Sequence, residues 1–290
     1  MNKPNRIQAR VLKAVHDRAV IARLMQDRAN ALQDITGDPP PTSWFDDFHA
    51  RGVLRQALEN VAADAGIPSA WVEQCRQRGE LGMRWRADLH WRDTKVVDRD
   101  QLLNKLEAHV RHAQDMAAIA TVYGERGARA EVGTAHLFDR GLRLLSYRIN
   151  AVAHVLGVSE READRLWGAQ SWSGAADSVR DGDIDAFVQR WRAHGRSIAD
   201  EVVLQAKALD TAGIIAGPHA LPNAAGMTAL VRAHLSPTPT QSPSADAVPG
   251  TRISEAIDAA GITDDTSTEF AGAEDRPEPA TAPTMPGIEP

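Results

Sequence analysis

The sequence has very little cysteine: Cys75 is the only one among 290 residues. A single thiol excludes an internal disulfide framework and a metal site built from several cysteines. Because Cys75 falls at an apolar position of a predicted helix, we expect a small buried side chain there. The sequence also lacks an apolar run of membrane-spanning length, and its first ten residues have no signal-peptide core. We therefore expect a cytoplasmic protein with no membrane partner.

No large excess of either charge marks the part of the chain up to residue 235. Residues 236–290 hold ten acidic residues against two arginines, a net charge of −8, which leaves a net charge of +2 for residues 1–235. A dedicated nucleic-acid binder is usually strongly basic. The composition therefore does not by itself indicate one.

The familiar signatures of catalysis and cofactor binding are missing as well. The sequence contains no P-loop, no Gly-rich dinucleotide fingerprint and no GxSxG motif. His109 and His112 share a helix face at a spacing that can bind a metal ion, but no third ligand is indicated. The sequence favours a non-enzymatic protein, for which we expect no catalytic residue, no metal and no cofactor.

What the chain does contain is one short pattern that occurs twice, 91 residues apart. The pattern Val61-Ala62-x-x-x-Gly66-Ile67 is matched by Val152-Ala153-x-x-x-Gly157-Val158. Alanine lets two helices approach closely, and glycine accepts the positive φ angle of a tight turn. The pattern resembles the helix-turn-helix of bacterial transcription factors and of phage or plasmid proteins.

The first copy is the better candidate for contact with DNA. Its second helix would present polar side chains away from its apolar face, and Gln and Arg can form bidentate hydrogen bonds to base edges. The predicted nucleic-acid-binding residues are Ser69, Ala70, Glu73, Gln74, Gln77, Arg78, Arg84 and Arg86. The second copy exposes Glu160, Glu162 and Asp164, which a phosphate backbone would repel, so we expect simple helix packing there.

Residues 6–35 are predicted to form one long helix, which Gly37 and the prolines at 39–41 end. Its apolar residues follow a 3/4 spacing that Arg18 and Arg28 interrupt. These apolar residues are Val11, Ala14, Ile21, Met25, Leu32 and Ile35. We interpret it as a helix that packs against the rest of the protein, and the alternative is a coiled-coil helix that binds a partner.

Two further helices are predicted at 99–123 and 131–156 from the same spacing. Because a short Gly-containing loop joins them, we expect an antiparallel helix hairpin. Ser159 and Glu162 form a predicted capping box for the helix after it. Additional helical segments are expected at 184–209 and 224–235.

Residues 83–91 alternate strictly between apolar and polar side chains, which is the period of a half-buried strand. With residues 94–97 as a return strand, this predicts a small β-hairpin. A helix-turn-helix followed by a β-hairpin is the order of elements in a winged helix. The alternative is an irregular segment packed on the helices.

These patterns divide the chain into four parts. They are a long helix with a Pro-rich break (1–41), a helix-turn-helix-like segment with a β-hairpin (42–98), a helical hairpin with the following helices (99–235) and an acidic tail (236–290). The tail is rich in Pro, Ser and Thr, with Phe270 as its only aromatic residue, so we expect it to be disordered. Its negative charge also predicts that it competes with phosphate for a basic patch.

Overall the chain resembles helical accessory proteins of actinobacterial mobile elements such as plasmids and phages, because arginine and alanine are abundant and the repeated pattern is present. The resemblance implies a DNA-binding regulator or accessory factor whose partner is double-stranded DNA. The alternative is a helical interaction or assembly protein with a structural or scaffolding role. In that case the long helices would bind a protein partner, or a second copy, without contact to DNA.

Overall fold

In a computed structural model the described residues are 3–86, 89–94, 97–125, 134–196 and 200–236. Within these ranges the structure is mainly α-helical and contains no strand, which confirms the expectation of a mainly helical protein. No helix in them is both long and apolar enough to cross a membrane. The acidic tail, apart from its first residue, lies outside the described residues.

The described helices follow one another as α1 (Arg6–Thr36), α2 (Thr42–Asp64), α3 (Ser69–Glu80), α4 (Arg99–Glu125), α5 (Thr134–Leu156), α6 (Glu160–Trp167), α7 (Ser173–Arg180), α8 (Ile184–Arg196), α9 (Asp200–Thr211) and α10 (Ala224–Leu235), with a 3-10 turn (Ala169–Trp172) between α6 and α7. The predicted helices at 6–35 and 224–235 agree closely with α1 and α10. The segment predicted as one helix, 184–209, contains two helices, and residues 197–199 between them lie outside the described residues. The short helix α7 was not predicted.

The ends of α1 follow from its flanking residues. Asn5 caps the start, because its side-chain oxygen accepts hydrogen bonds from the backbone N–H groups of Ile7 and Gln8 at 2.9 and 2.8 Å. The Gln8 side chain in turn accepts from the Asn5 N–H, which completes a capping box. At the other end Gly37 has a φ angle of 75°, a conformation that stops the helix.

The two glycines of the repeated pattern adopt the turn conformation that was predicted for them. Gly66 and Gly157 have φ angles of 75° and 68°. In each copy the residue after the glycine donates to the carbonyl five residues earlier, at 2.9 and 3.0 Å, which is the Schellman arrangement of a helix end. Gly82 and Gly213, after α3 and α9, show the same hydrogen bonds. The repeated glycine pattern is therefore typical of helix ends throughout this protein.

The core is centred on α4 and α5. Thirteen residues of α4 and twelve of α5 are buried, because α4 also contacts α7, α8 and α10 while α5 contacts α8 and α9. The predicted apolar face of α5 is buried at Phe138, Leu142, Leu145, Ile149 and Val152. Trp191 of α8 stacks on Phe138, with ring centroids 3.9 Å apart and planes 2° apart. Trp191 also stacks on Tyr123 of α4, with ring centroids 4.4 Å apart.

One buried charge holds three helices together. Arg148 of α5 is only 3% exposed, and its guanidinium donates to Asp64, at the end of α2, over 2.7 Å. It also donates to the side chain of Gln205 in α9. Burial is the main cause that lowers the pKa of Arg148, and Asp64 partly opposes it. These two contacts of Arg148 therefore hold α2 and α9 against α5.

The start of α4 is fastened to the second copy of the repeated pattern. Arg99 donates to the carbonyls of Leu156 and Gly157, each at 3.0 Å, and to the Glu162 carboxylate at 2.7 Å. Glu162 also accepts from the Ser159 N–H at 2.8 Å, and the Ser159 hydroxyl accepts from the Glu162 N–H, which confirms the predicted capping box. The hydrogen bond from Arg99 is the main cause that lowers the pKa of Glu162 to about 2.

The β-hairpin predicted at 83–97 is not found. The described residues of this stretch form no strand, and residues 87–88 and 95–96 lie outside the described residues. Side chains of α3 take the place of a partner strand: the Trp71 indole donates to the Arg92 carbonyl at 2.9 Å, and Gln74 donates to the His90 carbonyl at 2.8 Å. The apolar alternation instead places Trp91 against Trp71, with ring centroids 5.4 Å apart. The described residues of the stretch therefore match the alternative interpretation, an irregular segment packed on the helices.

Candidate functional site

The predicted nucleic-acid-binding residues lie on α3 and on the irregular segment after it. Ser69, Arg84 and Arg86 are exposed, whereas the other five are partly buried. Helix α3 packs along α1. The two helices approach closely at Gly79, because a Cβ atom added there would lie 2.5 Å from the His16 carbonyl oxygen. The irregular segment contacts α3 as well, so α1 and this segment each cover part of the α3 surface.

The two glutamines that were expected to read bases are engaged within the chain. The Gln74 amide donates to the His90 carbonyl, as described above, and accepts from the Arg92 N–H at 3.2 Å. The Gln77 side-chain oxygen accepts from the Arg92 guanidinium at 2.8 Å, and its nitrogen donates to Glu73. Contact with a base edge would require these bonds to be broken first. The sequence could not reveal the contacts with His90 and Arg92, because these partners lie 15 and more residues away.

The charges on this surface are also largely paired. Arg76 lies 2.6 Å from a carboxylate oxygen of Glu73 and 2.6 Å from one of Glu80, and Arg55 lies between Glu59 and Glu80 at 3.6 and 3.8 Å. The hydrogen bond from Arg76 lowers the pKa of Glu73, so that carboxylate stays ionised. Burial raises the pKa of Glu59. Three carboxylates surround two arginines here, which weakens the attraction for phosphate.

Sequence reasoning identified the apolar spacing of α1 but missed where α1 leaves the core. The buried residues of α1 other than Ala29 all lie at positions 11–19, and the guanidinium of Arg23 lies over Gly82, just after the end of α3. We call residues 24–36 of α1, residues 42–56 of α2 and the turn between them the arm (residues 24–56). Within the arm only Ala29 is buried, since all buried residues of α2 lie at 57–62. At 1.5 Å per residue, the α1 part of the arm is about 20 Å long.

The arm exposes an unusual amount of apolar surface. Four of the ten large apolar side chains that the described residues expose lie in the arm, and Ile35 is 82% exposed. The four are Leu24, Leu32, Ile35 and Phe45, and Ile21 is exposed just before the arm. Trp44 stacks on Phe48 within the arm, with ring centroids 5.0 Å apart. Of the predicted apolar positions of α1, Val11 is buried, whereas Ile21, Leu32 and Ile35 are exposed.

The tip of the arm is acidic. Residues 27–47 contain five aspartates and one arginine, a net charge of −4. Phosphate groups of nucleic acids and of anionic lipids would be repelled by this field. An apolar surface with acidic surroundings instead suits a protein partner.

A polar cluster joins α4 to α8. Asp115 forms an ion pair with Arg190, and His194 Nε2 lies 2.9 Å from the other carboxylate oxygen. Burial raises the pKa of Asp115, but hydrogen bonds and charge from His194 and Arg190 outweigh it, so its pKa lies below the usual value. His112 meets His194 edge to face at 5.0 Å. The described residues contain no group of three or more His, Cys, Asp or Glu side chains that could hold a metal ion. The cluster connects two helices.

No family model, curated protein or solved structure matches the chain. The likeness to accessory proteins of mobile elements therefore stays a prediction.

Proposed function

We propose that the protein is a non-enzymatic interaction or assembly protein, and that the arm is the surface that binds its partner. The observation that carries the proposal is the burial pattern of the arm: one buried residue between positions 24 and 56, with Leu32, Ile35 and Phe45 each more than half exposed. Leu32 and Ile35 share one helix face at a spacing of three, and exposed apolar side chains that lie together mark interaction surfaces.

Energetics support the same function. Isolated helices shorter than about 12–15 residues are marginal in water, and most helical stability in proteins comes from tertiary packing. The arm has little packing of its own, so a partner would supply it. Burying an exposed Leu, Ile or Phe side chain contributes about 1.5–3 kcal/mol. Three such residues contribute at most about 4.5–9 kcal/mol, so a partner must bury further surface of the arm to exceed the cost of association, which is about 4–15 kcal/mol.

The charge of the arm defines the chemistry of the partner. A net charge of −4 at the tip disfavours a second copy, which would bring the same charge. It favours an amphipathic helix whose apolar stripe is flanked by Lys or Arg. The partner we propose is therefore a basic amphipathic segment of another protein.

The test uses the full chain and a synthetic amphipathic helix of Leu and Lys. Hydrogen exchange should be fast at residues 24–56 in the free protein and slow after the peptide is added. The double variant Ile35→Ser/Phe45→Ser should lose this protection, and the matched control Leu137→Ser, at another exposed apolar site, should keep it. Equal protection in both variants would contradict the proposal. Light scattering of the full chain separates this outcome from self-association through the arm.

A second candidate is DNA contact by α2, the turn at Gly66 and α3, as a helix-turn-helix. It is supported by the exposure of Ser69 at the start of α3 and of Arg84 and Arg86 after its end. Few phosphates would be neutralised, so binding should be weak and should decrease steeply with salt. A gel-shift titration of the full chain and of Arg84→Gln/Arg86→Gln, at low and high salt, tests it. Absence of a shift at low salt would exclude this candidate.

The predicted antiparallel helix hairpin is also part of this proposal. We infer that α4 and α5 form the antiparallel hairpin, because the first residue of α4, Arg99, donates to the carbonyl of the last residue of α5, Leu156. This hairpin would be the rigid base from which the arm presents its apolar residues.

A further inference from the structure

A groove between α5 and α9 has no lining residue from the arm or from α3. Its volume is about 460 Å³, which lies within the range of small-molecule sites. Its apolar lining comes from Leu144 of α5 with Val203 and Ala206 of α9. Each helix contributes residues at a spacing of three and four, so one face of each helix forms one wall.

Three cations line the same groove: Arg140, Arg143 and Lys207. All three are exposed, and none forms an ion pair with another described residue. This contrasts with Arg76, Arg99, Arg148 and Arg190, each of which has a carboxylate partner. The three cations are not used to hold the helices together, and they lie beside an apolar surface.

The remaining lining residues determine where an anion can sit. Asp210 is the only acidic residue of the lining, which leaves a net charge of +2. Tyr147 donates its hydroxyl to the Ile214 carbonyl at 2.6 Å. Burial and the charge of Asp210 raise the pKa of Tyr147, so the phenol is neutral at pH 7. An anionic group would therefore avoid Asp210 and lie beside the three cations.

We propose that this groove binds a small amphipathic carboxylate. Arg140, Arg143 and Lys207 hold the carboxylate, and the apolar body of the ligand covers Leu144, Val203 and Ala206. Arginine suits this role because its planar guanidinium can donate two parallel hydrogen bonds to one carboxylate. The site is independent of the partner surface on the arm.

The probe is decanoate, titrated into the full chain by calorimetry below its micelle concentration. We expect saturable binding at one site. Decanol, which lacks the charge, and acetate, which lacks the apolar body, should each bind at least ten-fold more weakly. Equal affinity for decanol would show that the groove has no preference for an anion and would overturn the proposal, as would the absence of decanoate binding.

Variants locate the site. Arg143→Gln/Lys207→Gln should weaken decanoate binding at least ten-fold, and both positions are exposed, so the fold is expected to persist in a thermal melt. The matched control Arg161→Gln/Arg165→Gln removes two exposed arginines from α6 and should bind as the parent does. The arm variant Ile35→Ser/Phe45→Ser should also bind decanoate normally. Loss of binding in the arm variant, or retention in the groove variant, would overturn the assignment.

Discussion

Two pairs of long helices in this protein use similar apolar spacings but bury very different amounts of surface. In α4 and α5, thirteen and twelve residues are buried, whereas the arm buries only Ala29. Apolar side chains recur every three or four residues in both pairs. The difference is in the neighbours: α4 contacts α5, α7, α8 and α10, whereas the buried residues of α1 other than Ala29 all lie at positions 11–19, before the arm. Helix spacing therefore determines which face is apolar, and the topology determines whether that face is covered.

The largest effect expected is from truncating one phenylalanine in each region. Phe138→Ala removes a fully buried ring that stacks on Trp191 and should lower the free energy of unfolding by about 3–5 kcal/mol. Phe45→Ala, at a ring that is 51% exposed, should lower it by less than about 1 kcal/mol. Urea unfolding followed by circular dichroism measures both. Similar losses at the two positions would mean that the arm is packed as tightly as the core.

A second pair of variants compares buried and exposed charges. Asp64→Asn removes the carboxylate opposite buried Arg148 and should destabilise the protein by about 2 kcal/mol, less than the 3–5 typical of a fully buried pair, because Asp64 is partly exposed. In the arm, Asp27→Asn removes the exposed partner of Arg23 and should cost less than about 0.5 kcal/mol. The same unfolding experiment, with a double variant to test additivity, checks the difference. If Asp27→Asn proved as costly as Asp64→Asn, the distinction between core and arm would fail.

The repeated glycines provide a comparison between two turns that differ in their surroundings. Gly157→Ala should cost about 1 kcal/mol, because alanine disfavours a positive φ angle and nothing else lies near the added carbon. Gly66→Ala should cost about 1 kcal/mol more, since its Cβ would lie 2.7 Å from a methyl carbon of Leu102 and must displace it. Melting temperatures of the two variants, measured side by side, test the order. Equal values would show that the Leu102 side chain moves without cost.

The stability that the ion pair between Glu162 and Arg99 contributes should depend on pH. The folded pKa of Glu162 is about 2, below its unfolded value, so its ion pair with Arg99 stabilises the protein above the unfolded pKa and is lost as the pH falls from about 4.5 toward 2. Glu162→Gln should therefore melt below the parent at pH 7, and the gap should close across that interval. Glu160→Gln, at an exposed neighbouring position, is the control and should show little change at either pH.

Much of the fold could be predicted from local patterns, and the site could not. The bounds of α1, the turn glycines and the Ser159 cap depend on residues close in sequence, so they were predicted correctly. The alternation at 83–91 was a real sign of partial burial, but it was interpreted as a strand because the contact with Trp71 is not visible in the sequence.

Contacts between distant segments explain the remaining errors. Gln74 was expected to face solvent, yet the chain returns to it at His90 and Arg92. The groove likewise combines Arg143 of α5 with Lys207 of α9, which are 64 positions apart. One sequence cannot show which distant residues meet, so neither arrangement could have been read from spacing alone.

The buried thiol of Cys75 has a kinetic consequence. Burial raises the pKa of Cys75 to about 12, so at neutral pH it is a protonated thiol out of reach of solvent and reacts slowly with alkylating reagents. Because it is the only cysteine in the chain, every labelling event reports on one place, the buried face of α3. Dividing its labelling rate in the native protein by the rate in denaturant gives the fraction of time during which α3 is open. The chain thus carries a single natural reporter of local unfolding at the helix whose role in DNA contact is in question.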